Sequence, residues 1–166
     1  MNKNKNKIKD KKDTTTTTAS LFEGTVSSAT LMDNLIEAED LSDFLADNRE
    51  SLAELTFHEY LNNILRQKKM KRADIVRETG FNSAYVYQIF DGEKTPHRDK
   101  MIAICLVMGL DIETTQRILK LGGYSELYPR IARDALILFA IHHKWDLNST
   151  DDKLYENKFA TLRSID

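Results

Sequence analysis

The feature that most constrains this chain is the punctuation of residues 57–123. Five of the six glycines and one of the two prolines fall there, as Gly80, Gly92, Pro96, Gly109 and the pair Gly122-Gly123. The intervals between them leave room only for helices of two or three turns. Apolar residues recur within those intervals at helical spacing and nowhere with sustained strand-like alternation, so the segment reads as all-α. The first helix is predicted over Phe57 to Lys68. A second runs from Arg72 to Thr79 and stops at Gly80, which suits a left-handed turn. Asn82 is a favourable N-cap for a third, Ser83 to Asp91, stopped by Gly92. Pro96 marks a loop before a fourth, Arg98 to Met108, closed by Gly109. Asp111 caps a fifth that reaches about Leu121.

Composition changes on either side of this segment. Residues 1–13 carry six lysines against two aspartates, and a threonine run follows, so residues 1–30 are expected to be a disordered basic and Thr-rich arm. Residues 31–56 form an acidic amphipathic segment, with Leu31, Leu35, Ala38, Leu41 and Leu45 on one helical face and Asn48 as its stop. Across residues 19–56 nine acids face a single arginine, whereas residues 57–123 carry eleven bases against eight acids. The net charge of −2 therefore hides an acidic arm beside a basic domain, and local field matters more than the total for nucleic-acid binding. Residues 124–166 read as a C-terminal helical extension. Its main helix, Pro129 to His143, is apolar all round at Ala135 to Ile141 and so is expected to be buried. A shorter last helix starts at Asp146 or Asn148 and uses Leu154, Phe159 and Leu162 as contacts.

No apolar run approaches the roughly 18 residues of a membrane span, and no signal-like segment follows the lysine-rich start, so a soluble, cytoplasmic protein without a membrane partner is expected. The single cysteine, Cys105, lies in the apolar run Met101 to Met108 and reads as a small core residue.

The stretch Met70 to Gly92, MKRADIVRETGFNSAYVYQIFDG, carries the functional signal. Two short helices crossing steeply need a positive-φ residue between them, and Gly80 supplies it. Ile75 and Val76 on one helix and Val86 and Ile89 on the next fix the angle, with Phe81 plugging the turn. Together with Pro96 and the closing Gly109-Leu110-Asp111, this pattern resembles the Xre family of helix-turn-helix regulators, the Cro and cI phage-repressor type. The resemblance covers about 65 residues. It implies a five-helix repressor-like helix-turn-helix bundle whose third helix enters the major groove, in a homodimer on double-stranded DNA. Position by position, it implies that Ser83, Ala84 and Gln88 read base edges. Gln88 can pair bidentately with adenine, worth about 1–3 kcal/mol of discrimination. Lys71, Arg72, Lys94 and Arg98 would meet phosphates, with Asn82 and Tyr85 at the edge of the same face. Where many relatives pair an arginine with a glutamate, this chain has Leu65 and Phe90. Tyr85 and Tyr87 flank the reading surface, where they could stack on sugar, bond phosphate or pack against a protein.

Other features are weaker. His142 and His143 are adjacent, point about 100° apart on a helix and cannot chelate as an i, i+4 pair would. No catalytic frame, metal site or cofactor motif stands out, so no enzyme is expected. Thr14, Thr15, Thr16, Thr17 and Thr18 admit two readings, a solvated linker or a phosphorylation switch beside the acidic segment. The acidic helix could cover an apolar face of the C-terminal helices, form a dimer seam, or compete with DNA for the basic face. The leading expectation is a sequence-specific DNA-binding transcriptional regulator. The alternative is a protein-protein adaptor, or a phosphorylation-regulated signalling protein, that kept the bundle and no longer reads DNA, with a protein partner at the C-terminal helices.

Overall fold

The capping residues of the sequence do what their chemistry predicts. The computed structural model describes residues 28–49, 51–52 and 55–164, and among them every regular element is an α-helix. Two lie ahead of the glycine-punctuated segment, α1 (Ser28–Glu37) and α2 (Leu41–Asp47). Five span it: α3 (Phe57–Gln67), α4 (Arg72–Thr79), α5 (Ser83–Phe90), α6 (Arg98–Val107) and α7 (Ile112–Leu121). Two follow, α8 (Ala132–His142) and α9 (Leu147–Glu156). Thr56 opens α3 with a reciprocal cap: its hydroxyl accepts from the Glu59 amide at 3.4 Å while the Glu59 carboxylate accepts from the Thr56 amide at 3.0 Å. Asp111 caps α7 by accepting from the Thr114 amide at 2.8 Å, and Asp146 caps α9 through the Ser149 amide at 2.7 Å.

Helix α6 is the centre of the molecule. Met101 to Leu106 are all buried, because α4, α7 and α9 pack on different sides of it. Around it, Phe57, Tyr60, Leu61, Ile64 and Leu65 of α3 bury the i, i+3, i+4, i+7, i+8 face that their spacing defines. Ile75, Val86 and Ile89 are sealed between α4 and α5, and Ile118 and Leu119 close the far side. Leu65 and Phe90 are both buried in this apolar cluster, where they need no partner charge.

The C-terminal extension shares the same core. Leu127, Ile137, Ile141, Leu147, Leu154 and Leu162 belong to one cluster with α3–α7, so packing is continuous across residues 123 and 124. Polar clamps reinforce it. Gln116 donates to the Leu127 carbonyl at 2.8 Å and accepts from its amide at 2.7 Å, pinning the loop before α8. Arg133 makes a two-pronged bond to Asp99 at 2.9 and 2.8 Å, joining α8 to α6. Asp151, buried on α9, accepts from the Leu162 amide at 2.7 Å and from Arg163 at 2.8 Å, which holds the tail against the bundle.

The structure corrects several sequence expectations here. Helix α8 begins at Ala132, with Pro129 in the preceding turn, and it is not buried all round: Phe139 stays 52% exposed and Ile131 at its N-cap 53%. The helix expected from Leu31 to Leu45 is two helices. Asp40 breaks it by turning its carboxylate onto the amides of Ser42 at 2.7 Å and Asp43 at 3.2 Å, the local competition with helix hydrogen bonding that aspartate favours. The apolar face of the segment is open, since Leu35, Leu41 and Leu45 are exposed while Phe44 is the buried side chain. Asn48 does stop α2, its amide group donating to the Phe44 carbonyl at 2.9 Å. Of the basic and Thr-rich arm expected over residues 1–30, residues 1–27, Thr14 to Thr18 among them, lie outside the described residues, whereas residues 28–30 form the first turn of α1 and are not disordered.

Candidate nucleic-acid interface

Gly80 sets the relation of α4 to α5. Its φ of +72° is the left-handed conformation that ends α4 and redirects the chain, and its amide bonds back to the Val76 carbonyl at 3.0 Å. Thr79, buried at the same corner, accepts from the Phe81 amide at 3.2 Å, so the turn is held on both sides of the glycine. Asn82 then caps α5 by accepting from the Tyr85 amide at 3.3 Å. With Val86, Ile89 and Phe90 inward, Ser83, Ala84 and Tyr87 are exposed and Gln88 half-buried. These positions, two adjacent pairs four residues apart, share one face of α5. The helix SAYVYQIF contains no charged side chain, so any attraction for an anion comes from its surroundings.

Those surroundings fall into two brackets. At one end, Arg72 reaches from α4 to the end of α5, with its Nη1 2.6 Å from an Asp91 carboxylate oxygen. Its guanidinium lies 5.5 Å from the Tyr87 ring centre and 5.6 Å from that of Phe90, and Nη2 approaches the Asn62 amide oxygen at 3.5 Å. Asn62 in turn donates to the Phe90 carbonyl at 2.6 Å, tying α3 to the same corner. Arg72 is thus a tether between helices whose charge is shared with Asp91, and Tyr87 is held beneath it. Lys71, next to it, is exposed.

At the other end, Tyr85 is half-buried, edge-on to Phe81 at 6.4 Å. The ammonium of Lys94 stands 5.8 Å from its ring centre and that of Lys100 5.5 Å, distances at which cation–π attraction operates. Burial, and the neighbouring Tyr124 hydroxyl, push the Tyr85 phenol above its ordinary range, so it remains a proton donor at neutral pH. Lys94 lies in the loop after α5, where its amide and that of Glu93 bond to the Gln88 carbonyl at 3.2 and 2.9 Å. This fixes the loop against the helix that would do the reading. Gly92 makes the path possible: its φ is +79° and a Cβ there would come within 2.8 Å of the His58 ring.

Arg98 is placed elsewhere. The sequence expectation set it beside Lys94 as a phosphate contact, but its guanidinium forks onto Asp134 at 3.2 and 2.9 Å. The same group bonds the carbonyls of Ser125 and Glu126, each at 3.2 Å. Burial alone would raise the Asp134 pKa, but Arg98, the Tyr128 amide at 3.0 Å and Arg133 hold it below the ordinary carboxylate range. Arg98 therefore braces α6 to α8. Lys100, which sequence reasoning passed over, is the residue of α6 that stands beside Lys94 at the Tyr85 ring. Its signal was available: it is the next basic residue along α6, less than one turn on.

Cys105 is enclosed in the core, where burial pushes its thiol up to about 12 despite a hydrogen bond with Thr115, so no thiolate forms at neutral pH. Among the described residues, no three histidine, cysteine or acidic side chains are grouped to hold a metal ion, and no helix is long and apolar enough to cross a membrane. No family model, no curated protein and no solved structure matches this chain.

Proposed function

We propose that the protein is a sequence-specific DNA-binding transcriptional regulator in which α3–α7 act as a five-helix helix-turn-helix bundle of the Xre type. The observation that carries the reading is α5 itself. It is set against α4 by a left-handed glycine, turns a charge-free face of Ser83, Ala84, Tyr87 and Gln88 outward, and has Lys94 and Lys100 beside its Tyr85, with Lys71 exposed at the start of α4. A helix of this kind suits the major groove, where Gln88 supplies the donor and acceptor for one base and the lysines neutralise phosphates on either side. Arg72 positions α4 and, shared with Asp91, contributes a weaker phosphate contact than its charge alone suggests. The protein acts in the cytoplasm as a homodimer, without catalytic activity of its own.

A protein-binding role for the same bundle is the second reading, favoured by the exposed tyrosine Tyr87 on the reading face. Fluorescence anisotropy of the full chain with a random-sequence duplex separates the two. DNA binding gives an affinity that falls linearly on a double-logarithmic plot against salt, with a slope near −0.9 for each phosphate neutralised. An adaptor gives no salt-sensitive binding to any duplex.

A further inference from the structure

Two strongly charged surfaces of opposite sign are joined by one short stretch of chain. The first is a groove between α1 and α2. Residues 28–47 carry six carboxylates and no base, and all six acids are exposed. Asp40, Asp43 and Asp47 share one face of α2 and line the groove together with Glu37 and Glu39. The exposed Leu41 and Leu45 lie on another side of α2, so the groove is acidic rather than apolar. The second surface is the corner between α3 and α4. Residues 66–72 hold Arg66, Lys68, Lys69, Lys71 and Arg72 and no acid, the densest run of bases among the described residues. Lys69 turns the chain with a φ of +54°, its amide bonding the Arg66 carbonyl at 3.0 Å, and the Met70 amide bonds the Leu65 carbonyl at 3.1 Å, which gathers the five bases on one tight corner. Arg66, Lys68, Lys69 and Lys71 are exposed, and among the described residues their side chains enter no ion pair.

We propose that in the free protein the acidic groove of α1–α2 docks on the basic corner of its own chain, so that a nucleic-acid backbone must displace it. Charge complementarity selects the pair, since each surface is of one sign and neither has neutralising partners of its own. The competition rests on the reading of α5 given above, because the corner carries Lys71 and Arg72, assigned there to phosphates. The docking itself does not depend on that reading.

The tether makes the contact one within a single chain. Leu55 packs on the core at one end of an open channel that runs along α3 past Glu59, Asn62 and Asn63 to Arg66 and Arg72. Between Asp47 and Leu55 the Leu52 amide bonds the Asn48 carbonyl at 2.9 Å, which closes a turn roughly 6 Å long. The three residues from Leu52 to Leu55 add at most about 11 Å. The end of α2 therefore reaches roughly 17 Å from Leu55, and the eleven residues of α3 that separate Leu55 from the corner are roughly 16 Å long. A tether of this length presents the groove to the corner at about millimolar effective concentration, far above that of a second copy in dilute solution.

Zero-length carbodiimide coupling of the full chain, without DNA and at low micromolar concentration, tests the docking whether or not α5 reads bases. The reagent joins a carboxylate to a lysine amine only where the two meet, and peptide mass mapping locates the bond. Amide bonds are expected from Glu37, Glu39, Asp43 or Asp47 to Lys68, Lys69 or Lys71. In an equal mixture of isotope-labelled and unlabelled protein they should join peptides of one isotope only, and an excess of random-sequence duplex should remove them. Glu37→Gln, Asp43→Asn and Asp47→Asn combined, with the Asp40 cap left intact, should tighten duplex binding by about threefold or more, the gain shrinking as salt rises. No bond to those three lysines, bonds of mixed isotope, or bonds that survive saturating duplex would overturn the proposal. So would a combined variant that binds duplex no tighter than a wild type that binds it. A chain that forms the bonds and binds no duplex would refute the DNA reading, and with it the competition, while the docking stands.

Discussion

Replacing Arg98 with alanine separates a brace from a phosphate contact. In the structure the guanidinium of Arg98 makes two bonds to Asp134 and one to each of two backbone carbonyls, and the Asp134 side chain is only 5% exposed. Removing one partner of a buried ion pair costs about 3–5 kcal/mol, since the remaining charge keeps its desolvation and loses its attraction. The Arg98 side chain is 24% exposed, so water reaches the pair, and protonation of Asp134 caps the loss. Both effects place the expected destabilisation near the lower bound, about 3 kcal/mol. For a chain of this size that is a fall in Tm of about 6–12 °C.

The pH dependence adds a second signature. Asp134 titrates below its ordinary value when folded, so it stabilises the wild type above the unfolded-state pKa, and that stability is lost as the pH falls through the lowered value. The gap between wild type and Arg98→Ala, measured by urea denaturation, should therefore narrow on acidification. Arg98→Ala should leave the salt slope of DNA binding unchanged. A variant with wild-type stability and a slope shallower by about 0.9 would refute the brace and return Arg98 to the phosphates.

Three further outcomes follow from named contacts. Lys94→Ala and Lys100→Ala should each weaken binding to all duplexes alike and flatten the salt slope by about 0.9, as read by anisotropy, because each removes one cation flanking Tyr85. Gly92→Ala should destabilise by about 1–2 kcal/mol for the left-handed backbone alone, with a further loss from the His58 ring that the double variant with His58→Ala relieves; urea titration of the three proteins reads both parts. Cys105 should resist alkylation in the folded protein at neutral pH and react once denaturant exposes it, as followed by intact mass.

What could be read from the sequence was local, and what could not was distant. The limits of α4, α5 and α7 follow from Gly80, Asn82, Gly92 and Asp111, each of which acts on amides within a few residues. The inward residues Ile75, Val86 and Ile89 follow from helical spacing alone. The pairing of Arg98 was not legible because its partner is 36 residues away on α8, where nothing in the local pattern marks Asp134 as its counter-charge. The same holds for Phe139: an apolar run tells that a helix packs, but which side stays open depends on where α6, α7 and α9 lie. The break at Asp40 was legible in principle, since an aspartate followed by Leu41, Ser42 and Asp43 is a favourable N-cap, but apolar spacing continued through it and concealed the stop.

The central claim is that the outer face of α5 reads bases, and Gln88 tests it most directly. Selection of binding sites from a random duplex pool, run in parallel on wild type and Gln88→Ala, should enrich one motif with wild type. The variant should enrich the same motif with preference lost at a single base pair of each half-site, worth about 1–3 kcal/mol. No enriched motif with the wild type, or an identical motif at every position with both proteins, would contradict it.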